Sequence, residues 1–183
     1  DPAVLDAQRS GFFHCVDEVL YGRSPRAGIP SLGSFPQRGA PHIRAKSPGD
    51  DYHLFRTYNA VTPAEVRHVI GMTFSQWAES REPAHRRSDE FVSDQDGGLA
   101  GWTWITVRSG VCTFSVMANP DYPHCIEHLL DFIMERGLKA EIMYCLVPQY
   151  QDGLRVALVD RGFKAVSEYV TVVKSMPIRV KED

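Results

Sequence analysis

The stretch from Val111 to Lys164 constrains the fold more than any other part of the sequence. Val111–Ala118 is a run of β-branched, aromatic and small residues, which predicts a strand. An apolar stripe at helical spacing follows: Ile126, Leu129, Leu130 and Ile133. Gly137 is placed to end that helix in a left-handed cap. Ile142–Val147 is a nearly unbroken apolar run, as expected for a strand covered on both faces. This order predicts a right-handed βαβ unit.

Further strands and helices are predicted before this unit. Leu99–Arg108 is a long strand, with Trp102 and Leu99 on opposite faces, and shorter strands precede it. Thr62-Pro63-Ala64-Glu65 has the residues of a capping box, with Thr62 as the N-cap of a helix. Together the patterns predict an α/β (α+β mixed) fold. Its sheet is mixed, twisted and mainly antiparallel, with a central βαβ unit, a closing hairpin and helices on both faces.

The two ends of the chain share a short pattern. Ala3–Arg9 has helical composition, a Gly-Phe step follows, and His14–Tyr21 alternates like a strand. The same helix, Gly-Phe and strand order recurs in Leu154–Val173. We therefore predict that residues 1–22 are the end of a preceding repeat, that residues 23–41 are a linker, and that residues 42–183 form the main domain. An unrelated N-terminal extension is the open alternative.

Composition excludes several classes of protein. With 183 residues, 43% hydrophobic and 23% charged, the chain can fill one core. A net charge of -3 without a concentrated basic face argues against nucleic acid as a partner. No apolar run has bilayer-spanning length, so no membrane association is expected. The four cysteines lack a framework spacing, which indicates reduced thiols in a cytoplasmic protein.

The order of these elements resembles the C-terminal half of the GNAT superfamily of acetyl-CoA-dependent N-acetyltransferases. The resemblance is carried above all by Gln151–Phe163, which ends in Arg161-Gly162-Phe163. In that family a helix of pattern N-x-x-A-x-x-l-Y-e-k-x-G-F leads into the last strands. The resemblance implies acetyl-CoA as cofactor and a small-molecule or peptide amine as the acceptor of its acetyl group.

The resemblance also implies where the cofactor lies. Family members hold acetyl-CoA in a V-shaped gap between the strands that correspond to Val111–Ala118 and Ile142–Val147. The pantetheine amides pair with free backbone groups of the first strand, and one N–H can point at the thioester carbonyl. The cofactor-binding candidates in this sequence are Val116, Met117, Ala118, His124, Cys125 and Gln151. Gln151 aligns with the asparagine of the family's helix.

Two features depart from the family pattern. The pyrophosphate normally lies on a loop of type Q/R-x-x-G-x-G/A, whose glycines let backbone N–H groups close on the phosphates. Between Pro120 and Leu129 there is no glycine, and Asp121 would repel a diphosphate. The family's tyrosine, a general acid for the leaving thiolate, falls on Leu158. Tyr144 and Tyr150 are the candidates to replace it as catalytic residue.

Two function classes stay open. One is an acetyl-CoA-dependent N-acetyltransferase with a degenerate pyrophosphate loop. The other is a non-catalytic scaffold or ligand-sensing half of a tandem protein, which the missing glycines and Leu158 favour. A homodimer or pairing with a sister repeat is expected. His124, Cys125 and His128 have a spacing that zinc sites use, but no further ligand pair accompanies them, so no metal site is predicted.

Overall fold

A seven-stranded sheet forms the centre of the computed structural model, which describes residues 2–24, 42–80, 88–122 and 124–174. The strand order is β2-β3-β4-β5-β6-β1-β7, with β5 and β6 parallel and all other neighbours antiparallel. The strands are β1 (Phe13–Arg23), β2 (His42–Ala45), β3 (Asp89–Gln95), β4 (Gly98–Arg108), β5 (Val111–Ala118), β6 (Ile142–Pro148) and β7 (Lys164–Val173). The helices are α1 (Pro2–Arg9), α2 (Asp51–Val61), α3 (Ala64–Ile70), α4 (Phe74–Ser80), α5 (Cys125–Arg136) and α6 (Asp152–Asp160).

Helices cover both faces of this sheet. On one face α5 and α6 pack over β4, β5 and β6, and the side chains of Leu129, Leu130 and Ile133 are fully buried there. On the other face α2 and α4 bury Leu54 and Trp77 against the sheet. The predicted α/β (α+β mixed) architecture, with its central βαβ unit, is confirmed.

The N-terminal strand lies inside the sheet of the main domain. β1 pairs antiparallel with β6 on one side and with β7 on the other. Residues 13–23 therefore complete the sheet of residues 42–174, and β1 is the partner of β7 in the described residues. The second strand of the predicted closing hairpin falls on residues 175–183, which lie outside those residues. The origin of residues 1–22 in a preceding repeat stays a prediction.

The short pattern shared by the two ends has the same geometry in both places. Gly11 and Gly162 have φ of +82° and +81°, left-handed values that glycine adopts without strain. In each case the phenylalanine after the glycine donates its N–H to a carbonyl five residues back, over 3.0 Å. Both helices thus end in the same Schellman-type cap before a strand.

The end of α5 differs from its prediction. Gly137 has φ of -81°, a right-handed value, and the chain continues as a 3₁₀ turn, Gly137–Lys139. A Cβ at this position would overlap with the Met143 side chain, so close packing explains the glycine better than a left-handed cap does. The prediction that β6 is covered on both faces holds only for part of the strand, since Ile142 and Tyr144 on the second face are half-buried. Every second residue of β6 is buried, but Leu146 on the other face is 39% exposed.

The predicted capping box does not form. α3 begins at Ala64 with Pro63 as its N-cap, and Thr62 is the C-cap of α2, where its N–H donates to the Tyr58 carbonyl. The Thr62 hydroxyl is buried and has no hydrogen-bond partner among the described residues. Proline at N-cap moves the helix start one residue on, which takes Thr62 out of reach of the N–H groups of the first turn.

A β-bulge overturns one predicted strand face. The register of β3 and β4 slips opposite the step from Ser93 to Asp94, which leaves Ala100 as an extra residue in β4. An extra residue reverses the alternation of side chains on its strand. Leu99 therefore packs in the same apolar cluster as Trp102, although the sequence pattern placed the two on opposite faces.

Candidate functional site

The two parallel strands part half-way along their length. The β5–β6 ladder runs from Val111 opposite Ile142 to Phe114 opposite Cys145 and ends there. β5 continues to residue 118 and β6 to residue 148, so a gap opens between them. A cavity of about 250 Å³ lies at this gap. It is lined by Ala60, Val61, Val116, Ala118, Pro120, Ile126, Tyr150, Gln151, Gly153 and Leu154.

The backbone of β5 offers free hydrogen-bonding groups to this gap. Asn119 donates its N–H to Ala100 of the neighbouring β4 over 2.8 Å, which fixes the alternation along the strand. In an antiparallel pair, every second residue turns its N–H and C=O to the partner and the residues between turn theirs away. Val116 and Ala118 therefore present their backbone groups to the gap.

Met117 is not part of the gap. In the alternation along β5 it is one of the residues whose backbone groups bond to β4. Its side chain is 9% exposed and packs in the cluster beneath α2 and α4. Of the three predicted strand residues, the structure brings Val116 and Ala118 to the cavity and places Met117 in the core. Gln151, the N-cap residue of α6, also lines the cavity, and its contact with a cofactor stays a prediction.

One of the two candidate tyrosines reaches the gap. Tyr150 lines the cavity, and burial raises the pKa of its hydroxyl, with the neighbouring Thr62 hydroxyl acting in the opposite direction. Tyr144 lies opposite Thr113, in the closed part of the ladder, and packs across Gly22 of β1. The Leu158 side chain has no proton to donate. It is fully buried in the core, so a tyrosine would not fit there without repacking.

Tyr150 belongs to a polar cluster that the sequence patterns did not reveal. The cluster consists of Cys15 and Glu18 of β1, Tyr58 of α2, Thr62 and Tyr150. Burial raises the pKa of Tyr58 as well, opposed by the Thr62 hydroxyl. Electrostatic interactions with Tyr58, Glu18 and Cys15 raise the pKa of Tyr150 further. The Thr62 hydroxyl acts on the pKa of both tyrosines, and it is itself buried.

Three backbone N–H groups in the segment before α5 are hydrogen-bonded within that segment. Tyr122 donates to the Asn119 carbonyl over 2.9 Å, and Cys125 donates to the Tyr122 carbonyl over 3.0 Å. Asp121 donates to the Asn119 side chain over 3.1 Å. These donors occupy the place where the family's glycine loop would bind a diphosphate. The predicted contact of Cys125 with the cofactor is therefore not supported. His124, the N-cap residue of α5, is exposed.

The Cys125 side chain faces the core and not the gap. Burial raises its pKa to about 11, and the thiol lies against Gly101 of β4. His124 is exposed, whereas Cys125 is fully buried, so these two members of the HCxxH pattern lie in different surroundings. Within the described ranges, no group of three metal-ligating side chains comes together. All four cysteines are free and buried.

A groove between α5 and α6 continues the gap and is acidic. A cavity of about 390 Å³ there includes Gly153, which also borders the gap, and the carboxylates of Glu127, Asp152 and Asp160. Its one lining cation in the described residues, Arg161, is 5% exposed and bonded to Asp131 at 2.9 and 3.1 Å. The gap therefore fits the thioester arm of acetyl-CoA, and the groove does not fit its diphosphate.

Comparison with solved structures identifies the fold. A GCN5-related N-acetyltransferase from Sphaerobacter thermophilus matches 92% of this chain and 54% of its own, with TM-score 0.54 and 13% identity. An acetyltransferase of the GNAT family from Colwellia psychrerythraea matches 93% and 60%, with TM-score 0.56 and 9% identity. A tandem GNAT protein from the clavulanic acid biosynthesis pathway matches 98% and 60%, with TM-score 0.58 and 12% identity.

These likenesses show that the chain has the GNAT fold, as its sequence predicted. No family model matches the sequence, and no curated protein matches it. The chain spans 54–60% of the length of these three structures. None of the helices in the described part of the chain has the length and apolar character needed to cross a bilayer.

Proposed function

We propose that this chain is a GNAT-type N-acetyltransferase domain that transfers an acetyl group from a thioester donor of the acetyl-CoA type to an amine. The observation that carries the proposal is the gap where β5 and β6 part. There the backbone groups of Val116 and Ala118 face a cavity of about 250 Å³. Such groups pair with the amides of an extended ligand as an added strand would.

Tyr150 supplies the proton for the leaving group in this proposal. The nitrogen of a neutral amine attacks the thioester carbonyl, the C–S bond breaks, and the thiolate takes the proton of the Tyr150 hydroxyl. A raised pKa keeps that hydroxyl protonated near neutral pH, as a donor requires. Glu18 is the carboxylate of the cluster and accepts the proton that the attacking nitrogen loses, while the Thr171 hydroxyl holds it in place over 2.6 Å.

Replacing Tyr150 by phenylalanine tests this role. The proposal expects kcat for acetylation of a panel of small and peptide amines to fall about 100-fold, the size of a lost general acid. Tyr144→Phe is the matched control and leaves kcat unchanged, because that ring lies in the closed part of the ladder. Equal rates for the Tyr150→Phe variant and the parent chain would contradict the assignment.

A non-catalytic scaffold or ligand-sensing half of a tandem protein is the second candidate. It is favoured by the buried Leu158 at the family's tyrosine position and by the self-bonded segment before α5. Calorimetric titration with acetyl-CoA separates the two. Binding of acetyl-CoA, or of its pantetheine arm alone as S-acetylpantetheine, below millimolar concentration supports the enzyme. Binding of neither at millimolar concentration supports the scaffold.

The outer strand of the sheet is the surface that supports a homodimer or a sister repeat as partner. β7 has no second strand beside it among the described residues, and Val166 and Tyr169 are 56% and 48% exposed. An exposed edge with apolar side chains is a ready template for another strand. Sedimentation of the purified chain across a concentration series measures whether two copies pair.

A further inference from the structure

The two halves of a coenzyme A thioester differ in charge, and this protein presents a different surface to each of them. Its pantetheine arm is uncharged and bears amides, which match the backbone groups of Val116 and Ala118 at the gap. Its nucleotide half carries the diphosphate and a further phosphate. That half would leave the gap past Gly153, which borders both the gap and the groove between α5 and α6.

The groove repels anions for two reasons. Glu127 and Asp152 stand in the first turns of α5 and α6, where the partial positive charge of a helix N-terminus would otherwise attract a phosphate. Asp160 adds a third carboxylate to the lining. Arg155 pairs with Asp152 at 2.9 Å and offsets that charge, which leaves the carboxylates of Glu127 and Asp160. The guanidinium of Arg161 does not offset these two, because Asp131 and the carbonyls of Glu127 and Ala157 already bind it.

Three backbone donors of the segment that would wrap a diphosphate are already used within the segment. The N–H groups of Asp121, Tyr122 and Cys125 are bonded to atoms of Asn119 and Tyr122 at 2.9 to 3.1 Å. Binding a phosphate there would break these turns. The carboxylate of Asp121 is exposed in the same segment.

From these three observations we infer that the gap selects acyl thioesters by their pantetheine arm alone and disfavours the nucleotide half of coenzyme A. The inference rests on the proposed function, since it takes the gap as the donor site. It names the donor class as nucleotide-free acyl-pantetheine thioesters. The diphosphate, which strengthens binding wherever a helix N-terminus and free N–H groups receive it, weakens binding here.

Calorimetric titration of the full chain with S-acetylpantetheine, acetyl-CoA and adenosine 3′,5′-bisphosphate tests the inference. S-acetylpantetheine is expected to bind at least as tightly as acetyl-CoA, and the bisphosphate is expected not to bind. Raising the salt concentration should strengthen the binding of acetyl-CoA, because it screens the repulsion, and should leave S-acetylpantetheine unchanged.

Charge variants sharpen the test. The double variant Glu127→Gln, Asp160→Asn removes the two lining carboxylates that have no ion-pair partner among the described residues. It should raise the affinity for acetyl-CoA by about three- to tenfold and leave that for S-acetylpantetheine unchanged. Glu135→Gln is the matched control: it makes the same change on α5, and eight residues along a helix place it about 12 Å from Glu127, beyond the screening length at physiological salt. It should alter neither affinity.

The outcomes separate the two levels of the proposal. Acetyl-CoA binding many-fold more tightly than S-acetylpantetheine would overturn the inference and leave the proposed function standing. The same holds if the double variant weakens acetyl-CoA binding. Binding of neither thioester would overturn the proposed function, and the inference with it.

Discussion

Gly101 of β4 decides how closely α5 can approach the sheet, and an alanine there should be costly. A Cβ at this position would lie 2.6 Å from Cys125 Sγ, 2.9 Å from Leu129 Cδ1 and 3.0 Å from the Met117 carbonyl oxygen. Favourable contacts between such atoms need about 3.5–4.0 Å. Cys125 and Leu129 are fully buried, so neither can move aside without displacing α5.

Overpacking of this kind costs about 1–3 kcal/mol, and the removal of a strand glycine returns a part of it. We expect Gly101→Ala to lower the free energy of unfolding by about 2 kcal/mol, which for a domain of this size lowers Tm by roughly 4–8 °C. Urea and thermal unfolding, followed by circular dichroism, measure both quantities.

Gly153→Ala is the matched control with the opposite sign. Its Cβ would lie 3.6 Å from Ile126 Cδ1, an ordinary contact, and alanine favours a helix over glycine by up to about 1 kcal/mol. Adding Cys125→Ala to Gly101→Ala removes the closest clash, so the pair should show a coupling energy of about 1 kcal/mol or more. A Gly101→Ala variant as stable as the parent chain, or additive behaviour of the pair, would refute this account of α5.

Further predictions concern one ion pair, one core position and the thiols. Arg44→Met removes the bidentate partner of the buried Asp50. It should lower the free energy of unfolding by about 2 kcal/mol, measured by urea unfolding at pH 7. This is less than the cost of breaking a fully buried pair, because Arg44 is about one third exposed. Arg44 holds the pKa of Asp50 well below its ordinary value. The stability from this pair is therefore present above the pKa of the unfolded state and is lost as the pH falls through that of the folded state. The difference in unfolding free energy between variant and parent should shrink in urea titrations at pH 3. Leu158→Tyr restores the family's residue type but overfills the core, so it should lower Tm and raise no activity in the acetylation assay. Burial raises the pKa of Cys112 and Cys125 to about 11, so these thiols should react with a disulfide reagent only after unfolding, as a timed colour assay with and without urea would show.

Local patterns were sufficient where a segment's own residues select its structure. β5 spans Val111–Ala118, as its β-branched and aromatic run predicted, and β6 begins at the predicted Ile142. The same patterns failed where a neighbour decided the outcome. Gly137 is a glycine because Met143 packs against it, and Leu99 changed face because a bulge opposite β3 added one residue to the alternation.

The sequence alone was enough to predict the βαβ unit and the GNAT fold and to show that the segment just before α5 has no glycine. Each of these depends on patterns among residues that lie close together along the chain. The tertiary structure decided where the N-terminal strand goes. β1 lies between β6 and β7, more than 100 residues away in sequence, and this brings Cys15 and Glu18 beside Tyr150. The pairing of strands so far apart in sequence depends on side chains that come into contact only once the sheet has assembled. The hydrophobic periodicity of a single segment therefore does not predict it.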